Sequence, residues 1–298
     1  MDALSNLSEG LARIIEAGGM SIVRVESRRR RPASGTVWSP EGIIVTAHHV
    51  LETEDDISVG LADGRQVPAT LVGRDRTTDI AVLRAETGGL TPPPWAGLEG
   101  VRVGNLIVAL GRPGQTVRAA LGIVGALGGT WKTPAGGQID RYVQADFRPW
   151  PGFSGGMFLD AQGRALGIAT TGAMPGVAVA VPVSTLTRVV DTLQRYGHVR
   201  RAYLGVGAHP VRLPAGLERQ VGQDSGLLVA SVESGSPAEQ GGLLLGDVIA
   251  SVDAQPVRRL RELVSLLNAD RVGKGVSLRI VRGGRPQDLT VTLGEREA

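Results

Sequence analysis

The sequence contains no cysteine, and it is poor in aromatic residues and in long apolar runs. Without cysteine, disulfides, thiolate metal sites and a cysteine nucleophile are excluded. Aromatic residues make up only 3% of the chain, so the hydrophobic cores must be built from Val, Leu, Ile and Ala. No apolar run approaches the ~18 residues needed to cross a membrane, so no transmembrane segment is predicted.

Charged residues also bear on location. Asp2, Glu9, Arg13 and Glu16 interrupt the N-terminal apolar segment, which is not the pattern of a secretory signal. The chain as written therefore predicts a cytoplasmic protein. A periplasmic or cell-envelope location is the expectation if an export signal has been removed.

The charge balance indicates no nucleic-acid or metal partner. A formal net charge of +3 is not that of a dedicated nucleic-acid-binding protein. The one dense basic run, Arg28 to Arg31, ends at Pro32, and a solvated loop is preferred over a phosphate-binding patch. No cluster of His, Asp and Glu has metal-ligand spacing, so no cofactor is predicted.

The pattern of the chain predicts a helix followed by two domains. Residues 1–20 have apolar side chains at helical spacing and are expected to form an amphipathic helix. Residues 21–197 consist of short apolar runs broken by turns, and 43 glycines favour such a β architecture, a barrel or a sandwich. A polar boundary at Gly197 to Ala202 precedes a second domain, residues 203–295, which is long enough for its own core.

The second domain is expected to combine strands and helices. Leu260, Leu263, Val264 and Leu267 have helical spacing. Four apolar runs read as strands: Leu227–Val232, Val248–Val252, Val276–Val281 and Leu289–Leu293.

Phe153-Ser154-Gly155-Gly156, preceded by Pro151-Gly152, is a candidate nucleophile segment. Gly152 and Gly155, on either side of Phe153-Ser154, let backbone N–H groups approach a substrate carbonyl closely. Alone the segment is a weak signal, because Ser-Gly-Gly also makes an ordinary turn.

A candidate base and a candidate acid lie upstream of this serine. His48 and His49 end the apolar run from Ile43 to Val50, where a rigid strand would hold a base still. Asp79 leads directly into another apolar strand, whereas Asp63 and Asp75 are expected in more polar turns. Each piece has a plain alternative, a turn-forming Asp or a surface or core His. Their joint order, His, Asp, Ser, favours the catalytic interpretation.

These segments resemble the HtrA/Deg serine proteases over about residues 20–295. The resemblance is carried by Thr46 to Val50, Asp79 to Leu83 and Pro151 to Gly156. It implies a mainly β fold, a chymotrypsin-like double β-barrel protease domain followed by a PDZ domain of α+β type.

The resemblance also implies roles in the chymotrypsin-like triad, which are carried over from that template. His49 would be the general base rather than His48, because the family has the histidine directly before Val. Adjacent residues in a helical turn differ by about 100° in direction, so only one faces the serine. Asp79 would orient His49, and Ser154 would be the nucleophile.

The oxyanion hole would consist of the backbone N–H groups of Gly152 and Ser154. The bulky Trp150 and Phe153 replace the small amides usual in the family, which questions the loop geometry and the substrate fit. The pocket for the side chain before the scissile bond would be lined by Val177, Ala178, Val179 and Ala180.

The second domain resembles a PDZ module. Tyr203-Leu-Gly-Val206 is similar to the carboxylate-binding loop of such modules, which implies that Leu204, Gly205 and Val206 bind a peptide's terminal carboxylate. An ordinary strand start is the alternative for this tetrapeptide alone.

The resulting hypothesis is an ATP-independent serine endopeptidase that degrades unfolded or damaged proteins and recognises C-terminal peptides. The family resemblance implies a homotrimer. The alternative is a catalytically silent PDZ-containing peptide-binding scaffold or chaperone, motivated by Trp150 and Phe153.

Overall fold

The structure is a computed structural model that describes residues 3–27, 31–133, 136–174, 176–267 and 271–297. Of the basic run at Arg28 to Arg31, all but Arg31 lies outside the described residues. The chain forms two compact units, Met1–His198 and Val199–Ala298. Within the described ranges, no helix is both long enough and apolar enough to cross a membrane.

The first unit contains two closed six-stranded barrels, which confirms the predicted double barrel. In the first barrel, neighbouring strands follow the order β1-β2-β3-β6-β5-β4. Its strands are β1 (Ile22–Glu26), β2 (Ala33–Ser39), β3 (Ile43–Ala47), β4 (Ile57–Gly60), β5 (Gln66–Asp75) and β6 (Ile80–Ala85). The paired strands β3 and β6 are almost wholly buried, as expected for continuous apolar runs.

The second barrel has the strand order β11-β14-β13-β12-β7-β8. Its strands are β7 (Leu106–Gly111), β8 (Arg118–Gly128), β11 (Tyr142–Ala145), β12 (Met157–Leu159), β13 (Ala165–Thr170) and β14 (Val179–Pro182). A separate pair, β9 (Trp131–Lys132) and β10 (Gln138–Ile139), lies between β8 and β11 in the chain.

Two helices complete the first unit. Helix α1 (Ala3–Gly19) packs Leu11, Ile14 and Ile15 against the hydrophobic cluster of β7 and β12. Helix α2 (Val183–Tyr196) buries an apolar stripe and ends at Gly197 in the left-handed conformation that glycine favours. The residue before α2 is Pro182, and its side chain makes no capping hydrogen bond.

The second unit is a sheet with the order β16-β17-β18-β20-β21, in which β16 is an edge strand. The strands of this unit are β15 (Arg200–Tyr203), β16 (Val206–Arg212), β17 (Ser225–Val232), β18 (Val248–Val252), β19 (Gln255–Pro256), β20 (Gly275–Arg282), β21 (Arg285–Thr292) and β22 (Gly294–Glu297). Its helices are α3 (Ala215–Val221), α4 (Pro237–Gln240) and α5 (Leu260–Leu266). The four predicted strands and the predicted helix are present. Strand β21 starts at Arg285, four residues before the predicted start at Leu289.

Candidate active site

The candidate base and acid lie at the ends of two paired strands. Ala47 at the end of β3 pairs with Ile80 at the start of β6, which brings the following His48–Val50 turn beside Asp79. Asp79 Oδ2 lies 2.7 Å from His49 Nδ1, and Asp79 Oδ1 accepts the His49 N–H at 2.9 Å. One carboxylate therefore holds both the ring and the backbone of His49.

Asp79 is buried and conformationally constrained. It is 6% exposed, and its φ of 60° lies in the left-handed region that non-glycine residues rarely adopt. The hydroxyl of Thr170 donates to Asp79 Oδ2 and accepts the Gly172 N–H at 2.9 Å. Thr170 therefore holds the same carboxylate oxygen that contacts the His49 ring.

The short distance between the Asp79 carboxylate and the His49 ring requires a glycine at position 172. A Cβ at Gly172 would overlap Asp79 Oδ2 and would lie 2.6 Å from His49 Nδ1. No side chain fits there without displacing one of the two groups.

His48 takes a different position from His49. Its Nδ1 is buried and has no hydrogen-bond partner among the described residues. Burial lowers the pKa of His48, and the positive charge of Arg74 lowers it further. The structure thus brings His49, and not His48, to the Asp79 carboxylate.

Asp75 corrects one expectation. It was expected in a polar turn, yet it is only 2% exposed and accepts hydrogen bonds from the hydroxyls of Thr77 and Thr78. The prediction of a polar turn is wrong there, because the two threonines supply the donors that a buried carboxylate needs. Asp75 stabilises the turn that leads into Asp79.

Ser154 and His49 line one cavity of about 270 Å³. Its lining consists of Arg31, Ala33, His49, Val50, Trp150, Pro151, Gly152, Ser154 and Thr171. The oxygen atoms of the Ser154 and Thr171 hydroxyls are 3.3 Å apart. The predicted nucleophile and the predicted base therefore share a cleft, which is formed from both barrels.

The backbone N–H groups of the serine loop differ in whether they are hydrogen-bonded. The N–H groups of Phe153, Gly155 and Gly156 donate to Trp150, Ala169 and Phe153 carbonyls, respectively. Within the described part of the chain, the N–H groups of Gly152 and Ser154 have no acceptor. Gly152 has a φ of 82°, which glycine tolerates.

Strand β2 of the first barrel holds the carbonyls of this loop. The Ser34 hydroxyl donates to the Gly152 oxygen at 2.6 Å, and the Ser34 N–H donates to the Ser154 oxygen at 3.1 Å. The Thr36 hydroxyl donates to the Gly155 oxygen at 3.0 Å. The sequence analysis missed Ser34 and Thr36. The one available signal was two hydroxyl residues within a strand whose neighbours are apolar.

Phe153, the bulky residue beside the serine, does not line the cleft. Phe153 is 1% exposed and packs in the second-barrel core against the rings of Phe147, Phe158 and Trp150. Trp150 remains part of the cavity lining. The doubt about loop geometry is thus answered for Phe153, whose side chain points into the protein.

The predicted substrate-pocket residues lie elsewhere in the second barrel. Ala178 and Ala180 belong to its hydrophobic cluster, Val179 is buried, and Val177 is half-buried in the preceding turn. None of the four lines the cavity shared by His49 and Ser154. Their assignment stays a prediction.

The second unit contains a separate apolar cavity of about 190 Å³. It is lined by Leu204, Gly205 and Val206 on one side and by Leu263 and Val264 of α5 on the other. In the described residues, neither the Leu204 N–H nor the Gly205 N–H has an acceptor. The three predicted carboxylate-binding residues therefore meet at the end of the edge strand β16.

Gly205 has a conformational reason to be glycine. Its φ is 85°, and a Cβ there would overlap the side chain of Ser236. Both facts allow the close backbone approach that a terminal carboxylate needs.

Curated relatives and solved structures are similar to nearly the whole chain. A probable periplasmic serine endoprotease DegP-like from Halomonas elongata is 33% identical over 90% of this chain and 57% of its own. A probable periplasmic serine protease do/HhoA-like from Haemophilus influenzae is 33% identical over 91% and 60%. The chain thus spans less than two thirds of the length of these curated relatives.

Solved structures extend this similarity to the fold. The HtrA-type protease AlgW with decapeptide has a TM-score of 0.73 at 28% identity, over 96% of this chain and 99% of that one. The serine endoprotease from Yersinia pestis has a TM-score of 0.74 at 27% identity, over 96% and 98%.

Two family models match the chain. Residues 33–168 match the trypsin-like peptidase domain, and residues 202–293 match the PDZ domain. The fold and the site therefore define a trypsin-like serine protease fold joined to a PDZ domain, which confirms the fold that the motifs predicted. The chain belongs to the HtrA/Deg family of serine proteases.

Proposed function

We propose that this protein is an ATP-independent serine endopeptidase that degrades unfolded or damaged proteins. Ser154 would be the nucleophile, His49 the general base and Asp79 the residue that orients His49. The observation that carries the proposal is one cleft containing Ser154, the Asp79-held His49 and two unpaired N–H groups beside the serine.

The first step is attack of Ser154 Oγ on the scissile carbonyl carbon while the hydroxyl proton passes to His49 Nε2. The carbonyl oxygen becomes an oxyanion that accepts hydrogen bonds from the Gly152 and Ser154 N–H groups. Asp79, fixed at 2.7 Å from Nδ1, stabilises the imidazolium that forms.

The second half of the reaction returns the enzyme to its starting state. The C–N bond breaks as the leaving amine takes the proton from His49, leaving an acyl group on Ser154. A water molecule then gives a proton to His49, attacks the acyl carbon and releases the carboxylic acid as Ser154 regains its proton.

The second unit would bind C-terminal peptides. The unpaired N–H groups at Leu204 and Gly205 would hold the terminal carboxylate, and the ligand would add a strand to the β16 edge. Solved HtrA-type relatives with a decapeptide and with a tripeptide support this part of the proposal.

The compartment and the assembly are further parts of the proposal. Because the curated relatives are named periplasmic, we favour the periplasm over the cytoplasm, and fractionation of cells tests this. The homotrimer that the family resemblance implies is tested by light scattering coupled to size exclusion.

Labelling by a fluorophosphonate together with casein cleavage tests the central proposal. Wild-type protein should label and cleave, and Ser154→Ala should do neither. Ser184→Ala, which changes an exposed serine in α2, is the matched control and should behave as wild type. Cleavage by Ser154→Ala would refute the mechanism. Wild-type protein that binds tail peptides but never labels would favour the scaffold alternative.

A further inference from the structure

A second cavity of the PDZ unit is lined by β16 and α5, the strand and helix that also line the apolar cavity. It measures about 650 Å³ and lies at the opposite end of β16. Its lining consists of Pro210, Val211 and Arg212 of β16, Asp224 and Ser225 at the start of β17, and Arg258, Arg259, Arg261 and Glu262 at the start of α5. Because β16 and α5 also line the apolar cavity, they form one groove with an apolar end and an arginine-rich end.

The arginine-rich end contains four arginines, Arg212, Arg258, Arg259 and Arg261. Across the described residues, no ion pair includes Arg212, Arg258, Arg259 or Arg261. Elsewhere in the same unit, by contrast, Arg271, Arg279 and Arg282 are each paired with an aspartate.

The two carboxylates in the cavity lining already have local partners. Glu262 accepts the backbone N–H groups of Arg258 and Arg259 at 2.6 and 3.2 Å. Asp224 accepts the hydroxyl of its neighbour Ser225 at 2.8 Å. Four guanidinium groups against two carboxylates leave the arginine-rich end with an excess of two positive charges.

The direction of a bound peptide follows from the position of the unpaired N–H groups. A carboxylate held at Leu204 and Gly205 places the peptide's last residue beside Val206, and the preceding residues run along β16 toward Arg212. At about 3.3 Å per residue, the six steps from Val206 to Arg212 span roughly 20 Å. A residue about six positions before the carboxyl terminus therefore reaches the arginine-rich end.

The backbone of β16 is less able to bind the peptide there. Pro210 has no N–H, so a main-chain donor is missing from the far half of the strand. Side chains must then supply the recognition, and guanidinium groups recognise carboxylates through charge-assisted, often bidentate hydrogen bonds.

We propose that this groove recognises protein tails with an apolar last residue and acidic residues about five to seven positions upstream. The proposal rests on the C-terminal peptide recognition proposed above. It narrows the partner class to tails in which Asp or Glu precedes a short extended apolar end.

Fluorescence anisotropy on the full-length Ser154→Ala protein tests this, since that background prevents cleavage of the probe. Three labelled decapeptides share their last four residues and carry Glu, Gln or Lys at the three positions before them, and a labelled tetrapeptide of the shared residues is the fourth probe. The Glu peptide should bind about tenfold more tightly than the Gln peptide, from two or three partly solvated ion pairs. The Lys peptide should bind more weakly than both, and 0.5 M salt should remove the differences.

Charge variants locate the effect. Arg258→Gln/Arg259→Gln should abolish the preference for Glu over Gln without changing affinity for the shared tetrapeptide. Arg219→Gln/Arg285→Gln, which removes two exposed arginines elsewhere in the unit, should retain it.

Each other outcome has a distinct meaning. Equal binding of the Glu and Gln peptides overturns this inference alone. Failure of all peptides, including the tetrapeptide, overturns peptide recognition itself. Binding of single-stranded DNA that depends on Arg258 and Arg259, without a preference for acidic peptides, identifies the arginine-rich end as a nucleic-acid surface and also overturns the inference.

Discussion

The hydroxyl of Ser34 donates to the carbonyl oxygen of Gly152 at 2.6 Å, across 118 positions of sequence and from the first barrel to the second. The same hydroxyl accepts the Arg112 N–H at 2.8 Å. A hydroxyl carries only one proton. Because the Ser34 oxygen accepts the Arg112 N–H, the hydroxyl proton of Ser34 is free to point at the Gly152 oxygen. The Gly152–Phe153 peptide lies between the two peptides that carry the unpaired N–H groups, so holding it restricts both.

Ser34→Ala should lower kcat for a chromogenic peptide on the order of tenfold, with little change in KM. A buried carbonyl without its donor costs about 1–3 kcal/mol, and the loosened loop would hold the oxyanion less well. Since the oxyanion exists only after attack, the loss should fall on kcat. Steady-state kinetics measures the two constants separately.

Thr185→Val is the control for this change. It removes another wholly buried hydroxyl, that of Thr185 in α2, which accepts the Asp140 N–H at 3.0 Å. It should reduce thermal stability to a similar degree and leave kcat unchanged. Equal kcat values for Ser34→Ala and wild type would contradict the role of Ser34.

Gly172→Ala should reduce kcat at least about 100-fold, because its methyl group would separate the Asp79 carboxylate from the His49 ring. The φ of Gly172 is not in the left-handed region, so the backbone itself tolerates alanine. Gly129→Ala, at a glycine with nothing within 4 Å of the added Cβ, is the control and should be fully active. Full activity of Gly172→Ala would show that the His49–Asp79 contact is dispensable.

His49→Gln should abolish casein cleavage, whereas His48→Gln should retain it. Only His49 meets the Asp79 carboxylate and lines the cleft with Ser154. The two variants remove the same side chain from adjacent positions, so each serves as the control for the other. Loss of activity in both, with native circular dichroism, would contradict the assignment.

His48 should also contribute to the acid sensitivity of the protein. Its pKa is lowered in the folded state by burial and by Arg74, so below about pH 6.5 the unfolded chain binds more protons than the folded one. The folded state is therefore destabilised as the pH falls below that value. His48→Gln should lose less stability than wild type between pH 7.5 and 5.5, measured by urea unfolding with tryptophan fluorescence. An equal loss in both proteins would show that His48 is not the group responsible.

The triad candidates could be proposed from the sequence because each follows or precedes an apolar strand and because their order matches a known family. His49 could be separated from His48 by its place before Val50. Ser34 could not be predicted, since its partner is remote and a serine in a strand has no distinctive local pattern. The direction of the Phe153 side chain could not be predicted either, because sequence proximity to Ser154 does not reveal that the ring turns into the core.

Asp247 provides a test confined to the second unit. It is 1% exposed and receives hydrogen bonds from Arg282 at 2.8 and 2.7 Å and from the Leu244 N–H at 2.8 Å. Burial alone would raise the pKa of Asp247, but the Arg282 hydrogen bonds, the Leu244 N–H and the Arg282 charge together lower it. Its contribution to stability is therefore present above the unfolded pKa of about 3.8 and is lost as the pH falls through the lower folded value.

Asp247→Asn should destabilise the second unit by about 1–3 kcal/mol at pH 7, because the buried carboxylate is replaced by a weaker acceptor. All four tryptophans, Trp38, Trp95, Trp131 and Trp150, belong to the first unit, so fluorescence reports that unit alone while far-ultraviolet circular dichroism reports both. The variant should lower the circular-dichroism transition and leave the fluorescence transition in place. Asp288→Asn, which breaks the exposed pair with Arg279, should change neither by more than about 0.5 kcal/mol.

The difference in stability between Asp247→Asn and wild type should shrink as the pH approaches 3, because the wild-type carboxylate then loses its own charge. A difference that stays constant with pH would show that packing, and not the charge of Asp247, stabilises the unit.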